Sequence, residues 1–420
     1  MLRGQTVTNL IDHGDPANRI DLVVVSEGYT ASELDKFAAD ANTFASNFFA
    51  SEVYGEYASY FNVRTVAVAS NQSGASHPEL NPPVVRDTAF GATYNCQGVV
   101  RLICVNNNKV NAVVNALLPA NRRDYVFVLV NDPAYGGSGG AILVASTHSA
   151  APEIALHESG HTVGLLADEY PDQPTPCDLS KEPSDANATR ETDRAAIKWN
   201  EWIDPGTPLP TTTTTLGMPG LYLGADYCPS GMYRPTYMSK MRALGYPFEQ
   251  INDEQLVRRF YNVVSAIDSW SPSSATVTAQ QGDKVAFSVK PLAPGAHTLT
   301  TTWIVDGAVI GTGTDLSLNT GQMSAGAYTV TASVRDVTKW VRSDPSDLLA
   351  DSQTWHLTLT PGMPSALQPS ISHVAGAGLS VPPVTQLANG GLFAIFGSGF
   401  AAPAWRGRSA APISTGMRFP

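Results

Sequence analysis

RIDLVVVS, at residues Arg19–Ser26, is a continuous apolar run with the length of one β-strand. Such a run is typical of a strand covered on both faces, because successive side chains of a strand point to opposite sides of the sheet. Residues 34–48 then place apolar side chains at helical spacing. Further strand-like runs, Phe61–Ala69 and Asp124–Val130, are separated by the helical pattern of Lys109–Leu118. This alternation predicts a mainly parallel sheet with helices on its faces.

The pattern changes beyond Tyr170. Residues 171–220 are rich in Pro, Thr, Asp and Glu, which predicts loop with one helical patch around Arg194–Trp202. Glu249–Ile267 predicts a helix that closes the first domain, and Ser271–Ser274 predicts a linker. Short apolar runs separated by Gly, Asp and Pro follow, as in an immunoglobulin-like sandwich.

These patterns together predict the organisation of the chain. We expect an α/β (α+β) domain followed by an all-β immunoglobulin-like sandwich, with aromatic side chains such as Trp303, Tyr328, Trp340 and Trp355 in the core of the sandwich. Gly391–Phe400, in the Pro- and Gly-rich end of the chain, resembles the start of another such repeat. The predicted regions are residues 1–270, 275–360 and 361–420.

Composition and charge exclude several classes of protein. The chain has 420 residues, of which 43% are hydrophobic and 15% charged, so it can bury packed cores. Its 26 Lys and Arg against 37 Asp and Glu give a net charge of −11. This acidity argues against nucleic acid or an anionic membrane as the main partner. No apolar run approaches the roughly 20 residues of a membrane span, and the sequence does not indicate an oligomeric state.

The cysteines bear on the compartment. There are four, Cys96, Cys104, Cys177 and Cys228, and no CxxC motif that would favour a four-cysteine zinc site. The pairs Cys96/Cys104 and Cys177/Cys228 are plausible disulfides, although four cysteines allow three connectivities. Four reduced, buried thiols are the alternative. The low charged fraction, 35 Gly and 30 Pro suit an extracellular protein. Met1–Gln5 lacks the features of a signal peptide, so we expect the leader of a secreted protein to be cleaved or to lie outside this sequence.

One segment, HESGHTVGLLADEY at His157–Tyr170, points to chemistry. On a helix, His157 and His161 project from one face one turn apart, so both imidazoles can reach one tetrahedral Zn²⁺. Glu158 is placed to act on a water at the open position of the metal, as the general base of HExxH peptidases does. We expect Gly164 to end the helix as a left-handed residue.

The segment departs from the pattern that it begins. HExxHxxG opens the metzincin signature, in which a third histidine follows three residues after the glycine. That position here is Ala167, which cannot bind a metal, and the nearest candidates are Asp168 and Glu169.

Other segments accompany this motif: DLVVVSEGYT at Asp21–Thr30, DTAFG at Asp87–Gly91, GGSGG at Gly136–Gly140, YRPT at Tyr233–Thr236 and KMR at Lys240–Arg242. From about Asp21 to Ile251 the chain resembles the IgA-peptidase-like family of bacterial zinc metallopeptidases, in the metzincin clan. The resemblance implies a secreted peptidase with zinc on both histidines and on an acidic residue after the glycine. We assign that third role to Asp168. Glu169 stays the alternative, because nothing in the sequence fixes which carboxylate turns inward.

The resemblance has further implications for the site. A methionine should lie beneath the metal as a packing floor, and Met241 fits best, with Met238 as the alternative. Ser239 stands where family members often carry a cysteine. The resemblance favours Ala141–Ala145, after the glycines, as an edge strand that binds an extended peptide, whereas the residues alone equally allow an ordinary edge strand. Either Tyr170 or Tyr233 could place a hydroxyl near the oxyanion, or be an ordinary buried ring.

The leading hypothesis is a secreted zinc endopeptidase that acts on protein or peptide substrates. A non-catalytic adhesion or binding protein, using the β-sandwich and retaining a structural zinc site, is the alternative from another class. The presence of Glu158 favours the enzyme, because decayed peptidases tend to lose the base. A third hypothesis is a zinc hydrolase that acts on a non-peptide amide. His77, His148, His297 and His356 have no partner at ligand spacing, so we expect them to lie outside the metal site.

Overall fold

The structure is a computed structural model that describes residues 5–171, 177–362, 370–376 and 393–398. Contacts divide the chain into two units, which are described separately. The first unit comprises Met1–Ala275, Phe287–Leu316 and Val330–Trp355, and the second comprises Thr276–Ala286, Ser317–Thr329 and His356–Pro420. The predicted boundaries near residues 270 and 360 stay predictions.

The described residues contain five α-helices and a larger number of strands. No described helix has both the length and the apolar character that a membrane span requires. The helices are α1 (Leu34–Phe48), α2 (Glu52–Glu56), α3 (Asn107–Leu117), α4 (Ala151–Thr162) and α5 (Gln250–Tyr261). The strands are β1 (Thr6–Ile11), β2 (Ile20–Glu27), β3 (Phe61–Ala67), β4 (Tyr125–Val130), β5 (Gly137–Ser138), β6 (Leu143–Ser146), β7 (Tyr222–Ala225), β8 (Cys228–Arg234), β9 (Ile267–Ser271), β10 (Thr276–Gln280), β11 (Lys284–Pro291), β12 (Thr300–Val305), β13 (Ala308–Thr312), β14 (Asp315–Asn319), β15 (Gly326–Arg335), β16 (Ala350–Thr360), β17 (Ser370–Gly376) and β18 (Phe393–Ser398).

A six-stranded sheet with the order β1-β3-β2-β4-β6-β5 forms the framework of the first unit. β3, β2, β4 and β6 run parallel, and β1 and β5 pair antiparallel at the two edges. Every residue of β2 is buried, as expected for a strand that is apolar on both faces. The predicted parallel sheet with flanking helices is confirmed, and the chain is a mixed α/β protein with an additional β region.

Helices cover both faces of this sheet. α1 buries Phe37, Ala41, Phe44 and Phe48, and the Phe44 ring stacks on Phe127 of β4 with centroids 4.1 Å apart. α3 packs on the other face, where its valines join alternate residues of β2, β3 and β4 in one core. The sheet is thereby shielded from water on both sides, and loops at its edge are left to carry polar groups.

The loop-rich region after Tyr170 contains less helix than predicted. The patch around Arg194–Trp202 forms only two short 3₁₀ turns, at Arg194–Ala196 and Asn200–Trp202. α5 ends at Tyr261, six residues before the predicted Ile267, which instead begins β9. β9 runs to Ser271 and pairs antiparallel with β11, so the start of the predicted linker is a strand.

Within the first unit, β12 pairs antiparallel with β13 and with residues 330–335 of β15. Trp303 and Trp355 stack at 5.9 Å against Phe287, and all three side chains are buried. These two tryptophans are core residues as predicted, whereas Trp340 is only half-buried. The immunoglobulin-like arrangement itself stays a prediction.

In the second unit, β10 runs parallel to residues 356–360 of β16. Tyr328, predicted for the core of the sandwich, is half-buried there. β17 and β18 pair antiparallel. Of the predicted repeat start, Gly391–Phe400, only Phe393–Ser398 lies within the described residues, where it forms β18.

A buried polar cluster in the first unit joins α2, α5 and the β region. Both ring nitrogens of His297 face carboxylates, Nδ1 at 2.6 Å from Glu56 and Nε2 at 2.6 Å from Asp336. The hydroxyls of Tyr57 and Tyr261 each donate to Asp336 at 2.8 Å. Burial lowers the pKa of His297, but the two carboxylates outweigh it and raise that pKa above its ordinary value. An imidazolium fits this geometry, because a neutral ring has only one N–H to donate.

Candidate metal centre

α4 carries the HExxH motif and follows β6 of the main sheet. His157 and His161 lie one turn apart on it, with ring centroids 5.0 Å apart and ring planes nearly perpendicular. Each ring fixes its tautomer through a backbone carbonyl: Nδ1 of His157 donates to the Lys240 oxygen at 2.9 Å, and Nδ1 of His161 to the Leu166 oxygen at 2.7 Å. The Nε2 atoms are therefore free to bind a cation, the arrangement usual for metal-ligating histidines.

The turn after α4 differs from the expectation for Gly164. The residue in the left-handed region is Leu165, with φ of 52°. Gly164 is required for another reason, since a Cβ there would lie 2.6 Å from the Gly160 carbonyl oxygen. The side chain of Leu165 points to solvent and is 51% exposed. The turn directs the Leu166 carbonyl to His161 and brings the following carboxylates back toward the helix.

Asp168 meets the two histidines at one point. Its Oδ1 lies 3.2 Å from Nε2 of His157 and 3.2 Å from Nε2 of His161, and the three residues form a group with ligand atoms within 4.8 Å of one another. Oδ1 is buried and has no hydrogen-bond donor among the described residues. Three acceptor atoms that converge in this way repel one another unless a cation or a proton lies between them.

The donor geometry fits a small divalent cation. Ligand bonds of about 2.0–2.1 Å in a tetrahedron place neighbouring donors roughly 3.3 Å apart, close to the 3.2 Å observed. Without a cation, the carboxylate draws a proton onto His161: burial lowers the pKa of that ring, but Asp168 raises it to about 9. Burial also opposes ionisation of Asp168, yet both histidines hold the pKa of Asp168 well below its ordinary value.

Glu169 points away from this centre and is fully buried, so it is not a surface charge. Its carboxylate accepts hydrogen bonds from Ser239 Oγ at 2.7 Å, Asn252 Nδ2 at 2.9 Å and Asn187 Nδ2 at 3.1 Å. Its backbone N–H donates to the Met241 carbonyl at 2.9 Å. Glu169 therefore ties the segment that bears Asp168 to the segment that follows β8. Ser239, at the position where family members often carry a cysteine, makes one of these bonds.

Met241 lies under α4, as predicted for the packing floor. It is completely buried, and a Cβ on Gly160, between the two histidines, would overlap its sulfur. Met238 is partly exposed. The neighbouring Lys240 supplies the carbonyl that orients His157, and its ammonium binds Glu153 of α4 at 2.6 Å. This segment thus supports the first histidine from below.

Tyr227 is a site residue that sequence reasoning missed. Its hydroxyl donates to Oδ2 of Asp168, the oxygen that does not face the histidines. It lies in the turn between β7 and β8, where Asp226 and Tyr227 have φ of 49° and 59°. Positive φ at two successive residues other than glycine costs energy, and such strain concentrates at functional sites. A tyrosine after an acidic residue in a turn carries no metal-site signal in the sequence; only the hairpin places it beside Asp168.

Glu158 lines the same cleft, which has a volume of about 660 Å³. Gly139 passes so close that a Cβ there would overlap the Glu158 carboxylate. Burial raises the pKa of Glu158, although the histidines oppose this effect. Tyr170 and Tyr227 line the cleft too, with rings 5.6 Å apart, whereas Tyr233 packs in a separate core with Leu209 and Trp residues.

The strand beside the cleft differs from the expectation. β6, which covers most of Ala141–Ala145, is hydrogen-bonded on both sides, by β4 and β5. β5 is the edge strand of the sheet. Residues 101–103 bond to it, and the Gly137 N–H donates to the Arg101 carbonyl at 3.1 Å. An extended peptide would therefore meet the backbone of Gly139 and Gly140, both exposed in the cleft.

The remaining predictions concern the cysteines and the other histidines. Disulfides join Cys96 to Cys104 and Cys177 to Cys228, which confirms the predicted pairs. Among the described residues, His77, His148, His297 and His356 do not join the metal-ligand group. His77, however, resembles His297: its ring nitrogens lie 2.7 Å from Glu79 and 3.0 Å from Asp132.

The chain is similar to one family of known proteins. The model of the family described as IgA Peptidase M64 matches residues 8–218, which include most of β1, all of β2 to β6, α4, both histidines and Asp168. Among curated proteins, none matches the chain significantly. The family match spans half of the 420 residues. The chain therefore belongs to the IgA peptidase M64 family.

Proposed function

We propose that this protein is a secreted, zinc-dependent endopeptidase of protein substrates, with His157, His161 and Asp168 as the zinc ligands and Glu158 as the general base. Membership of a peptidase family supports the reaction class. The observation that carries the zinc site is the convergence of the Nε2 atoms of two histidines and one donor-free carboxylate oxygen in a cleft that Glu158 also lines.

Zinc is the metal that these donors favour. Two imidazoles and one carboxylate form a mixed nitrogen and oxygen set, which zinc accepts in tetrahedral catalytic sites with one position left open. Magnesium and calcium prefer sites built from oxygen alone. When bound, zinc would supply Lewis acidity for the scissile carbonyl and lower the pKa of a water.

The chain's own residues would perform the proton transfers and the positioning. Glu158, on the turn of α4 that carries His157, takes a proton from the attacking water on its carboxylate and delivers it to the leaving amine. Desolvation raises the pKa of Glu158. The raised pKa lies closer to neutral pH, where a carboxylate can both accept and release a proton. Tyr227 holds Asp168 in place by its hydrogen bond. The glycine backbone at residues 139–140 leaves room for an extended substrate.

The fold classification is part of the proposal. A HExxH helix, a following turn that returns a third ligand and a buried methionine beneath them support a metzincin-like arrangement. The antiparallel strands and the tryptophan core of the β region support an immunoglobulin-like domain. The two disulfides favour secretion, since such bonds persist in oxidising compartments.

Digestion of an unfolded protein substrate, with and without a metal chelator, tests this function. We expect cleavage by the zinc-loaded protein, loss of cleavage with the chelator and recovery on addition of zinc. Glu158→Ala serves as the matched inactive control. Binding of zinc without any cleavage would favour the non-catalytic adhesion protein. Chelator-sensitive hydrolysis of small amides, with intact proteins left uncut, would favour the hydrolase of non-peptide amides.

A further inference from the structure

A second cavity, of about 670 Å³, lies next to the catalytic cleft. Its lining includes four large apolar side chains that are exposed to solvent: Leu80, Val99, Val100 and Tyr135, at 49%, 41%, 59% and 39%. Single exposed apolar residues are common, but a contiguous group with polar neighbours marks a binding surface. We call these four residues the apolar subsite.

The apolar subsite is held in shape by covalent and hydrogen bonds. The Cys96–Cys104 disulfide closes the loop that carries Val99 and Val100. Just before the loop, the Asn95 N–H donates to the Val100 carbonyl at 3.1 Å. The His77 ring, held by Glu79 and Asp132, stacks on Tyr94 with centroids 4.2 Å apart and forms part of the lining. A pocket whose walls are already ordered binds its ligand without the entropic cost of ordering them.

The apolar subsite is continuous with the metal cleft. Arg101 and Tyr135 line both cavities, so a chain leaving the cleft over these residues enters the subsite directly. An extended peptide advances about 3.3 Å per residue and presents alternate side chains to one wall. A substrate side chain a few residues along this path would lie beside Val99 and Val100.

We propose that the apolar subsite binds a large aliphatic or aromatic side chain of the peptide substrate, displaced from the scissile bond, and so determines the specificity of the enzyme. This inference rests on the proposed peptidase function and adds its substrate class. Continuity with the cleft and the apolar lining of the cavity favour this occupant. The charged side chains near it, Glu79 and Arg101, border the cavity and would face the polar backbone of the peptide.

A cleavage-site profile tests the subsite. The zinc-loaded protein is incubated with a synthetic library of mixed-sequence peptides, and products are identified by mass spectrometry. We expect enrichment of Phe, Leu, Ile, Met, Tyr or Trp at a fixed position away from the cut. Val100→Asp should lower kcat/KM about tenfold for peptides with that residue and leave peptides with alanine there unchanged. Val309→Asp, at a 67% exposed valine of β13, is the matched control and should change neither.

A binding measurement tests the apolar subsite without relying on catalysis. The probe 4-fluorophenylalanine amide is titrated into wild type, Val100→Asp and Val309→Asp, and binding is followed by ¹⁹F NMR. We expect saturable binding that only Val100→Asp weakens, by about tenfold. Cleavage without a distal apolar preference, or probe binding that is equal in all three proteins or absent from wild type, overturns the inference. Absence of any cleavage contradicts the proposed function instead, and the probe still decides about the apolar subsite.

Discussion

Tyr227→Phe removes one hydroxyl and should weaken zinc binding without changing a metal ligand. The hydroxyl is the donor to Oδ2 of Asp168, and Oδ1 is the oxygen that faces both histidines. Its loss frees the carboxylate to rotate and leaves a buried charged oxygen with one partner fewer. Partners of this kind are typically worth tenfold to hundredfold in metal affinity, about 1.4–2.7 kcal/mol.

The matched control is Tyr29→Phe. Tyr29 is fully buried, whereas Tyr227 is half-buried. The hydroxyl of Tyr29 also donates to a carboxylate, Asp40, at 2.8 Å, but Tyr29 does not line the cleft. Each variant loses a charge-assisted hydrogen bond, so both should lose about 1–3 kcal/mol of unfolding free energy. Only Tyr227→Phe should lose zinc affinity.

The assay is a competition titration of the metal-free protein with zinc and a chromophoric chelator, accompanied by urea unfolding. Asp168→Asn calibrates the loss of the ligand itself. Zinc affinity in Tyr227→Phe within about twofold of wild type, together with a large loss in Asp168→Asn, would refute the orienting role of the hydroxyl. Unchanged affinity in both variants would refute Asp168 as a ligand.

Substitutions at Glu158, Glu169 and His297 test the base, the buried network and the imidazolium. Glu158→Ala should lower turnover at least about 100-fold while elemental analysis still finds zinc bound; loss of the metal would make Glu158 a ligand. Glu169→Ala should lower the free energy of unfolding of the metal-free protein by about 3–5 kcal/mol in urea, because three buried donors lose their acceptor; a loss below about 1 kcal/mol would contradict the network. His297→Gln should lower the free energy of unfolding by about 1–3 kcal/mol near pH 6 and by less near pH 9. The pKa of His297 is raised on folding, so its contribution is complete below the ordinary value of 6.5 and is lost as the pH rises through the folded-state pKa; a cost that is the same at both pH values would exclude the imidazolium.

Local sequence patterns determined the elements of the main sheet, the spacing of the two histidines and the candidate disulfide pairs. The continuous apolar run in β2 and the helical spacing of apolar residues in α1 predict the parallel sheet. A strand buried on both faces is apolar at every position, whereas a helix buried on one face is apolar at every third or fourth position. The spacing of His157 and His161 places both imidazoles on one face of α4 for the same reason. Both disulfide pairs were among the few connectivities that four cysteines permit.

Tertiary structure decided what adjacent residues do. Asp168 and Glu169 are neighbours with the same charge, and only the return of the chain after Leu165 turns one to the histidines and the other into a network from distant segments. The contact of Tyr227 with Asp168 and the apolar subsite likewise join residues that are far apart in sequence. No periodicity or spacing in the sequence predicts them. α5 ends before its predicted boundary because residues 267–271 pair with β11, and a partner strand is invisible to local propensity. The sequence thus determines elements and ligand spacing, where the physics is local, whereas the fold alone determines which polar groups meet, because those contacts depend on chain segments that pack from elsewhere.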